Sequence, residues 1–471
     1  MRSIALVMTL LMATTVPAAA ERRWAVPRVV ERAERKGDYA AALLGLRAEL
    51  ARCEAARPAA TTCLDLYQTV VAIAMPAGDL AMAQEYAAKA LALARRALPA
   101  QHSDIAIALS NMALVLQTRG DPVAATPLYI QALAIFQDVY RPDHPDLAVA
   151  WNNLAANYHV LGLRAEAETA YRRALEILKP KSRETKALAA RLSGNLGTVI
   201  TEQGRDTEAE PFLRKALALN EAVLPAGHPD IASSLGNLGG NLAAQGRHAE
   251  ALPMFRRAVE TQQATLPADH LDLATSLTNL ALTLMDLGKD AEAESMLTRA
   301  VAIRQKAWPA GHPLTAQAWS NLAVLLDRGK RYSESERAYR SAIAQYEDAP
   351  YASPVAMAAT LRNFADSLAL QYRYAEAAPL YRLALKVHHR LHPLSHPERI
   401  HVAWMLATTL QLHGQAAPEV RTLLRQAHRG VLERMASHPG YGRQAQAEIT
   451  AHQDVFLREV RAAWDLAAGQ R

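Results

Sequence analysis

Residues 224–258 read LPAGHPDIASSLGNLGGNLAAQGRHAEALPMFRRA, and their reading decides the fold. A turn at Leu224-Pro225-Ala226-Gly227-His228-Pro229-Asp230 precedes an apolar-small stripe at Leu238, Gly239 and Leu242. The spacing predicts one helix with an apolar face and a small residue where another backbone comes close. Gly246 stands where that helix stops, since glycine tolerates the left-handed conformation that follows helix ends. Pro253, Phe255 and Ala258 then predict a second helix carrying a large knob and a small hole, with proline near its start, where a missing N–H costs little.

The same pattern returns at a fixed period. An asparagine recurs every 42 residues as Asn111, Asn153, Asn195, Asn237, Asn279, Asn321 and Asn363. The next residue is apolar (Met112, Leu154, Leu196, Leu238, Leu280, Leu322, Phe364), and the one after is always alanine or glycine. Gly120, Gly162, Gly204, Gly246, Gly288 and Gly414 keep the helix-end phase. Pro127, Pro211, Pro253 and Pro379 share the second-helix position. Tyr129, Tyr171, Leu213, Phe255, Leu297, Tyr339 and Tyr381 keep the knob phase, three residues before Ala132, Ala174, Ala216, Ala258, Ala300, Ala342 and Ala384. A period of this length means stacked helical units, each able to bury its apolar face only against its neighbours. The expected fold is all-α, a right-handed superhelical solenoid of antiparallel helix pairs.

Four segments are expected. Residues 1–20 read as a secretory signal, with Arg2, an apolar run from Ile4 to Met12 and a small-residue site at Ala18-Ala19-Ala20. The run is short for a membrane span, though an uncleaved anchor is the alternative. Residues 21–59 form a degenerate N-terminal hairpin around Gly37-Asp38-Tyr39-Ala40, residues 60–437 hold the tandem repeats, and residues 438–471 form a capping helix with Ile449, Phe456, Val460 and Trp464 at helical spacing. Terminal units need such covers because their outer face has no neighbour. The expected location is outside the cytoplasm, periplasmic or secreted, with no membrane insertion after cleavage.

Cys53 and Cys63 are the only cysteines. In an oxidising compartment a disulfide closing that short loop is expected, two separate buried thiols being the alternative. Net charge is +6, and loss of Arg2 with the signal leaves 51 basic against 46 acidic residues, or +5. That balance, with no Lys/Arg-rich run, argues against a nucleic-acid partner.

His102, His144, His228, His270, His312 and His396 also keep the period, with Lys186 and Pro354 in the two vacant phases. Recurring singly at helix starts, these histidines read as turn and capping residues. Five histidines cluster at His388, His389, His392, His396 and His401. His388 and His392 have the spacing of a helical metal pair, but Pro393 breaks the helix and no cysteine or carboxylate set completes a site. No metal, cofactor or catalytic residue is assigned, and no HExxH, phosphate-loop, GxSxG or dinucleotide motif is present.

The apolar-small pair, the glycine and the Tyr/Phe-then-Ala pair resemble the tetratricopeptide repeat. The 42-residue unit with Asn-Leu-Ala and His-Pro-Asp resembles its kinesin-light-chain class, most closely at Trp151-Asn152-Asn153-Leu154-Ala155 and Ala209-Glu210-Pro211-Phe212-Leu213-Arg214-Lys215-Ala216-Leu217. The resemblance covers roughly residues 60 to 437. It implies that each asparagine faces a concave groove and bonds the backbone of an extended peptide, which a carboxamide can do through both its donor and its acceptor. The alternative is that each asparagine bonds a neighbouring helix or loop. Arg191, Arg328 and Arg362 hold similar inner-face phases and could receive carboxylates through their bidentate fork, solvated surface arginine being the alternative. The expected function is a non-enzymatic scaffold for a protein or peptide partner. A metal-dependent enzyme using the C-terminal histidines and a self-assembling protein are the alternatives, and the sequence leaves the oligomeric state open.

Overall fold

The computed structural model describes Val30 and residues 38–55, 61–308, 310–347, 353–414 and 417–436. The expected signal at 1–20, most of the segment 21–38, and the expected cap at 438–471 lie outside the described residues. Nineteen helices and no strands are present among the described residues. Helix α1 (Tyr39–Ala55) precedes nine helical hairpins, and the side chain of Asp38 caps its start. In the first unit, Met1–Thr265, these are α2 (Thr61–Ala74) with α3 (Leu80–Ala97), α4 (Ser103–Thr118) with α5 (Pro122–Val139), α6 (Pro145–Val160) with α7 (Arg164–Ile177), α8 (Arg183–Glu202) with α9 (Asp206–Val223), and α10 (Pro229–Ala244) with α11 (His248–Thr265). In the second unit, Leu266–Arg471, they are α12 (Leu271–Asp286) with α13 (Asp290–Ala307), α14 (Pro313–Arg328) with α15 (Tyr332–Glu347), α16 (Pro354–Leu370) with α17 (Tyr374–Leu391), and α18 (Pro397–Leu412) with α19 (Ala417–Ala436).

The periodic residues build the core. The small residue two after each asparagine marks the crossing point of a hairpin, with Ala113, Ala155, Ala281, Ala323 and Ala365 fully buried. Where glycine takes that place, the knob from the second helix fills the space. A Cβ on Gly197 would stand 2.6 Å from Leu213, and one on Gly239 would stand 3.0 Å from Phe255. Tyr129, Tyr171, Tyr339 and Tyr381 occupy the same knob position and are at most 2% exposed.

Helix ends follow the turn chemistry. Gly120, Gly162, Gly204, Gly246, Gly288 and Gly414 all have φ between 72° and 89°. The residue after each of the first five returns its N–H to a carbonyl five residues back, as in Arg205 N to Ile200 O, so the chain reverses with its last carbonyls satisfied. Two further copies of this position are Lys330 (φ 58°) and Tyr372 (φ 62°), which hold the same conformation without being glycine.

The periodic histidines cap. Nδ1 of His102, His144, His228, His270 and His312 accepts the N–H two residues on, at 3.1–3.2 Å. In two of these turns an aromatic residue four before the cap stacks on it: Tyr140 on His144 at 3.9 Å and Trp308 on His312 at 3.6 Å. His396 stands at the same cap, but its side chain makes no capping bond. Where the phase holds Lys186, the first helix starts earlier, at Arg183, behind a Ser182–Thr185 capping box. Where it holds Pro354, Ser353 caps instead.

The prolines correct one expectation. Pro127, Pro211, Pro253 and Pro379 lie inside α5, α9, α11 and α17, each at the sixth residue, past the orphan amides of the first turn. Each therefore leaves one carbonyl four residues back without its helical partner.

Within each unit a second regularity joins hairpin to hairpin. Arg205 bridges Glu168 of the preceding second helix, at 2.7 Å, to Glu208 of its own. Arg247 does the same with Glu210 and Glu250, Arg331 with Glu294 and Glu334, and Arg373 with Glu336 and Glu376. These pairs lie at the surface, where water and salt screen them, so each contributes little. Their repetition fixes the register of successive second helices.

Candidate binding face

Within each unit the first helices of successive hairpins touch one another: α4 meets α6, α6 meets α8, and α8 meets α10, as α12 meets α14 and α14 meets α16. The asparagines sit on these first helices. Asn111 is buried, whereas Asn153, Asn195 and Asn237 in the first unit and Asn279, Asn321 and Asn363 in the second are half-buried.

Their bonding divides them. Asn153 accepts a bond from Asn152 at 3.3 Å, and Asn195 reaches Asn152 Oδ1 at 3.5 Å. Asn195 thus reaches the preceding first helix, whereas Asn153 is bonded within its own helix. The carboxamides of Asn237, Asn279, Asn321 and Asn363 bond no described residue, and the Asn111 amide nitrogen is buried without a partner. These four carboxamides are not among the buried atoms, so they stand open to solvent, where their donors and acceptors can turn to a ligand.

The three arginines differ as well. Arg328 is exposed and paired to Asp290 at 3.1 Å. Arg362 is held by Asp366 and Glu398, each at 3.2 Å. Arg191 has no ion pair among the described residues, and its Nε is buried without a partner. Burial pushes its guanidinium below the usual range, and the nearby charge of Asp230 offsets this only in part. It stands one turn before Asn195, on the same helical face.

Several polar contacts around this face were not visible in the sequence. Asn157 and Asn241, one turn after the periodic asparagines, are fully buried. Asn157 donates to Pro122 O at 3.0 Å and Thr126 Oγ1 at 2.8 Å, and Asn241 donates to Thr201 Oγ1 and Asp206 O, both at 3.0 Å. They staple a first helix to the start of the preceding second helix. In the second unit Tyr339 and Ser367 donate to the two oxygens of Asp327, at 3.0 and 2.7 Å. Tyr381 donates to Asp366, whose carboxyl burial pushes up and this bond draws back down.

The C-terminal histidines stack rather than converge. The rings of His392 and His396 lie 3.8 Å apart and those of His388 and His392 5.3 Å. Among the described residues no group of three or more His, Cys, Asp or Glu side chains is arranged to hold a metal. Cys53 and Cys63 are joined, their Cα atoms 5.7 Å apart. No described helix is long and apolar enough to cross a membrane.

Stacked antiparallel pairs with Ala/Gly crossings and left-handed glycine stops define a helical-repeat solenoid. The tetratricopeptide repeat family model matches residues 104–179, 188–264, 230–306 and 272–348, and a second tetratricopeptide repeat model matches 357–398. The chain belongs to the tetratricopeptide repeat family. Among solved structures it is similar to the apo quorum sensor NprR from B. thuringiensis, at 16% identity and TM-score 0.55, over 76% of this chain and 99% of that one. It is also similar to BtubC (BKLC) from P. vanneervenii, at 24% identity and TM-score 0.43, over 50% of this chain and 95% of that one. A kinesin light chain with nearly identical repeats from Podosopora anserina matches at 22% identity and TM-score 0.28, over 51% and 95% of the two chains. No curated protein sequence matches the chain.

Proposed function

We propose that this chain is an exported, non-enzymatic scaffold whose first-helix face holds an extended segment of a protein partner. The observation that carries the reading is that, in the second unit, Asn279, Asn321 and Asn363 hold carboxamides on half-buried first-helix positions that bond no described residue, as Asn237 does in the first unit. A carboxamide can pair with a peptide group without reading its side chain, so a series of them suits a backbone of varied sequence. Side-chain choice then falls to the neighbouring positions: in the first unit Gly194 and Gly236 before the asparagine leave room, and Arg191, whose charge Asp230 offsets only in part, offers a cation for a partner carboxylate. Export is supported by the signal-like segment 1–20 and by the Cys53–Cys63 bond, since such bonds persist in oxidising compartments.

The test is crosslinking of the purified chain, without residues 1–20, in the exported fraction. Wild type is compared with the Asn279→Ala/Asn321→Ala variant. The reading expects a protein crosslinked by wild type and lost from the variant while helicity is unchanged. Equal capture by both would remove the asparagines from the site, and capture only from cytoplasmic extract would remove the exported assignment.

A further inference from the structure

The turn between α17 and α18 departs from every other capped turn described. Its position on the last turn of the second helix is held elsewhere by Phe136, Leu178, Asn220, Gln262, Arg304 and Tyr346. Where that residue is polar it can reach into the next first helix. Asn220 donates to Ser234 Oγ at 2.9 Å, and Arg304 donates to Leu314 O at 3.0 Å. His388 occupies this place at 1% exposure, with both ring nitrogens buried and without a hydrogen-bond partner. His392 and His396 complete a stack against it, the His388 and His396 rings 6.4 Å apart. His396 is also the periodic cap residue that has lost its capping bond, with its Nδ1 buried and unpartnered.

We infer that this turn is an acid-sensitive joint, in which a proton taken up by the His388–His392–His396 stack releases the last hairpin, α18 with α19, from α17. The charged groups facing the stack from the described elements packed on it are Glu398 and Arg399 on α18, Arg362 on α16 and Arg434 on α19. Glu398 is the carboxylate of that group, and it stands 3.2 Å from Arg362, so a new imidazolium adds a cation to a site whose anion is already shared. Arg399 donates to the His392 carbonyl at 2.9 Å, tying the start of α18 to this turn. On the far side α19 closes directly on the turn at Gly430, where an added Cβ would collide with the Leu394 carbonyl. A turn gripped by both helices of the last hairpin transmits its loosening to both.

Burial, and next the neighbouring His392, push His388 from 6.5 down to about 4. A depressed value in the docked state means that docking is fully stable above 6.5 and weakens as pH falls from there toward about 4. Below that window both states are protonated and the loss stops growing.

Hydrogen exchange on the whole chain, at about pH 7.5 and about pH 5 and corrected for intrinsic amide chemistry, reads the joint directly. The inference predicts that protection of residues 397–436 falls by about tenfold or more at the acid value, while residues 145–223 lose far less. His388→Phe, the residue found at the equivalent Phe136, keeps protection in acid. If that variant does not fold, His388→Asn, the residue found at the equivalent Asn220, carries the same expectation. Equal protection of 397–436 at both pH values, a loss spread evenly over all hairpins, or an acid response retained in the folded variant would overturn the inference.

Discussion

Tyr372 takes the left-handed position that other repeats give to glycine, at φ 62°, and the residue is 80% exposed. A residue with a Cβ costs about 1–2 kcal/mol there. Tyr372→Gly should therefore not destabilise the chain, and a thermal melt should show an equal or raised midpoint. Gly197 makes the opposite case, because its constraint is space rather than backbone. A Cβ there meets Leu213 at 2.6 Å, so Gly197→Ala should cost about 1–3 kcal/mol by urea unfolding, although alanine serves the same position in most other repeats. These core positions were legible in the sequence because each repeat asks the same volume of the same place. Asn157 and Asn241 were not: their position alternates between apolar Val115, Val199 and Leu325 and polar Thr283, Ser367 and Thr409, so no single residue type marks the staple.

At the scale of the element, the start of most first helices rests on a histidine. His144 joins two effects, a bond to the Asp146 amide at 3.2 Å and a stack on Tyr140. His144→Ala should cost about 0.5–2 kcal/mol, with amide exchange rising first in the opening turn of α6. His312 adds a pH dependence. Burial, and then Arg304, hold its ring below 6.5, so the stability it contributes is complete above that value and declines as pH falls below it. Unfolding of wild type and His312→Ala between about pH 8 and about pH 5 should converge toward the acid end. Capping was visible in the sequence from the histidine's place beside Pro and Asp. The failure of the cap at His396 was not, because it depends on His388 and His392 stacking across a turn.

At the scale of the molecule, stability in each unit is the sum of hairpins and the interfaces between them. The arginine bridges belong to those interfaces, and their partners stand 37 residues apart, as in Arg205 with Glu168 and Arg247 with Glu210. That separation hid them from a reading by motif, which matches like with like and not charge with countercharge. Arg247→Gln should lower stability slightly in low salt, and the difference should shrink toward nothing as salt is raised. The face formed by the first helices has a different logic, since its periodic asparagines contribute little to the core and several bond nothing among the described residues.

The direct measurement is a calorimetric titration of the chain with the tightest binder from an array of short unstructured peptides, repeated with Asn279→Ala/Asn321→Ala. Losing two backbone-directed carboxamide bonds, each of about 1 kcal/mol, predicts roughly a tenfold or greater loss of affinity with the melting midpoint moved by no more than about 2 °C. Unchanged affinity, or a collapse of the melting midpoint in the variant, would contradict a binding role for these asparagines.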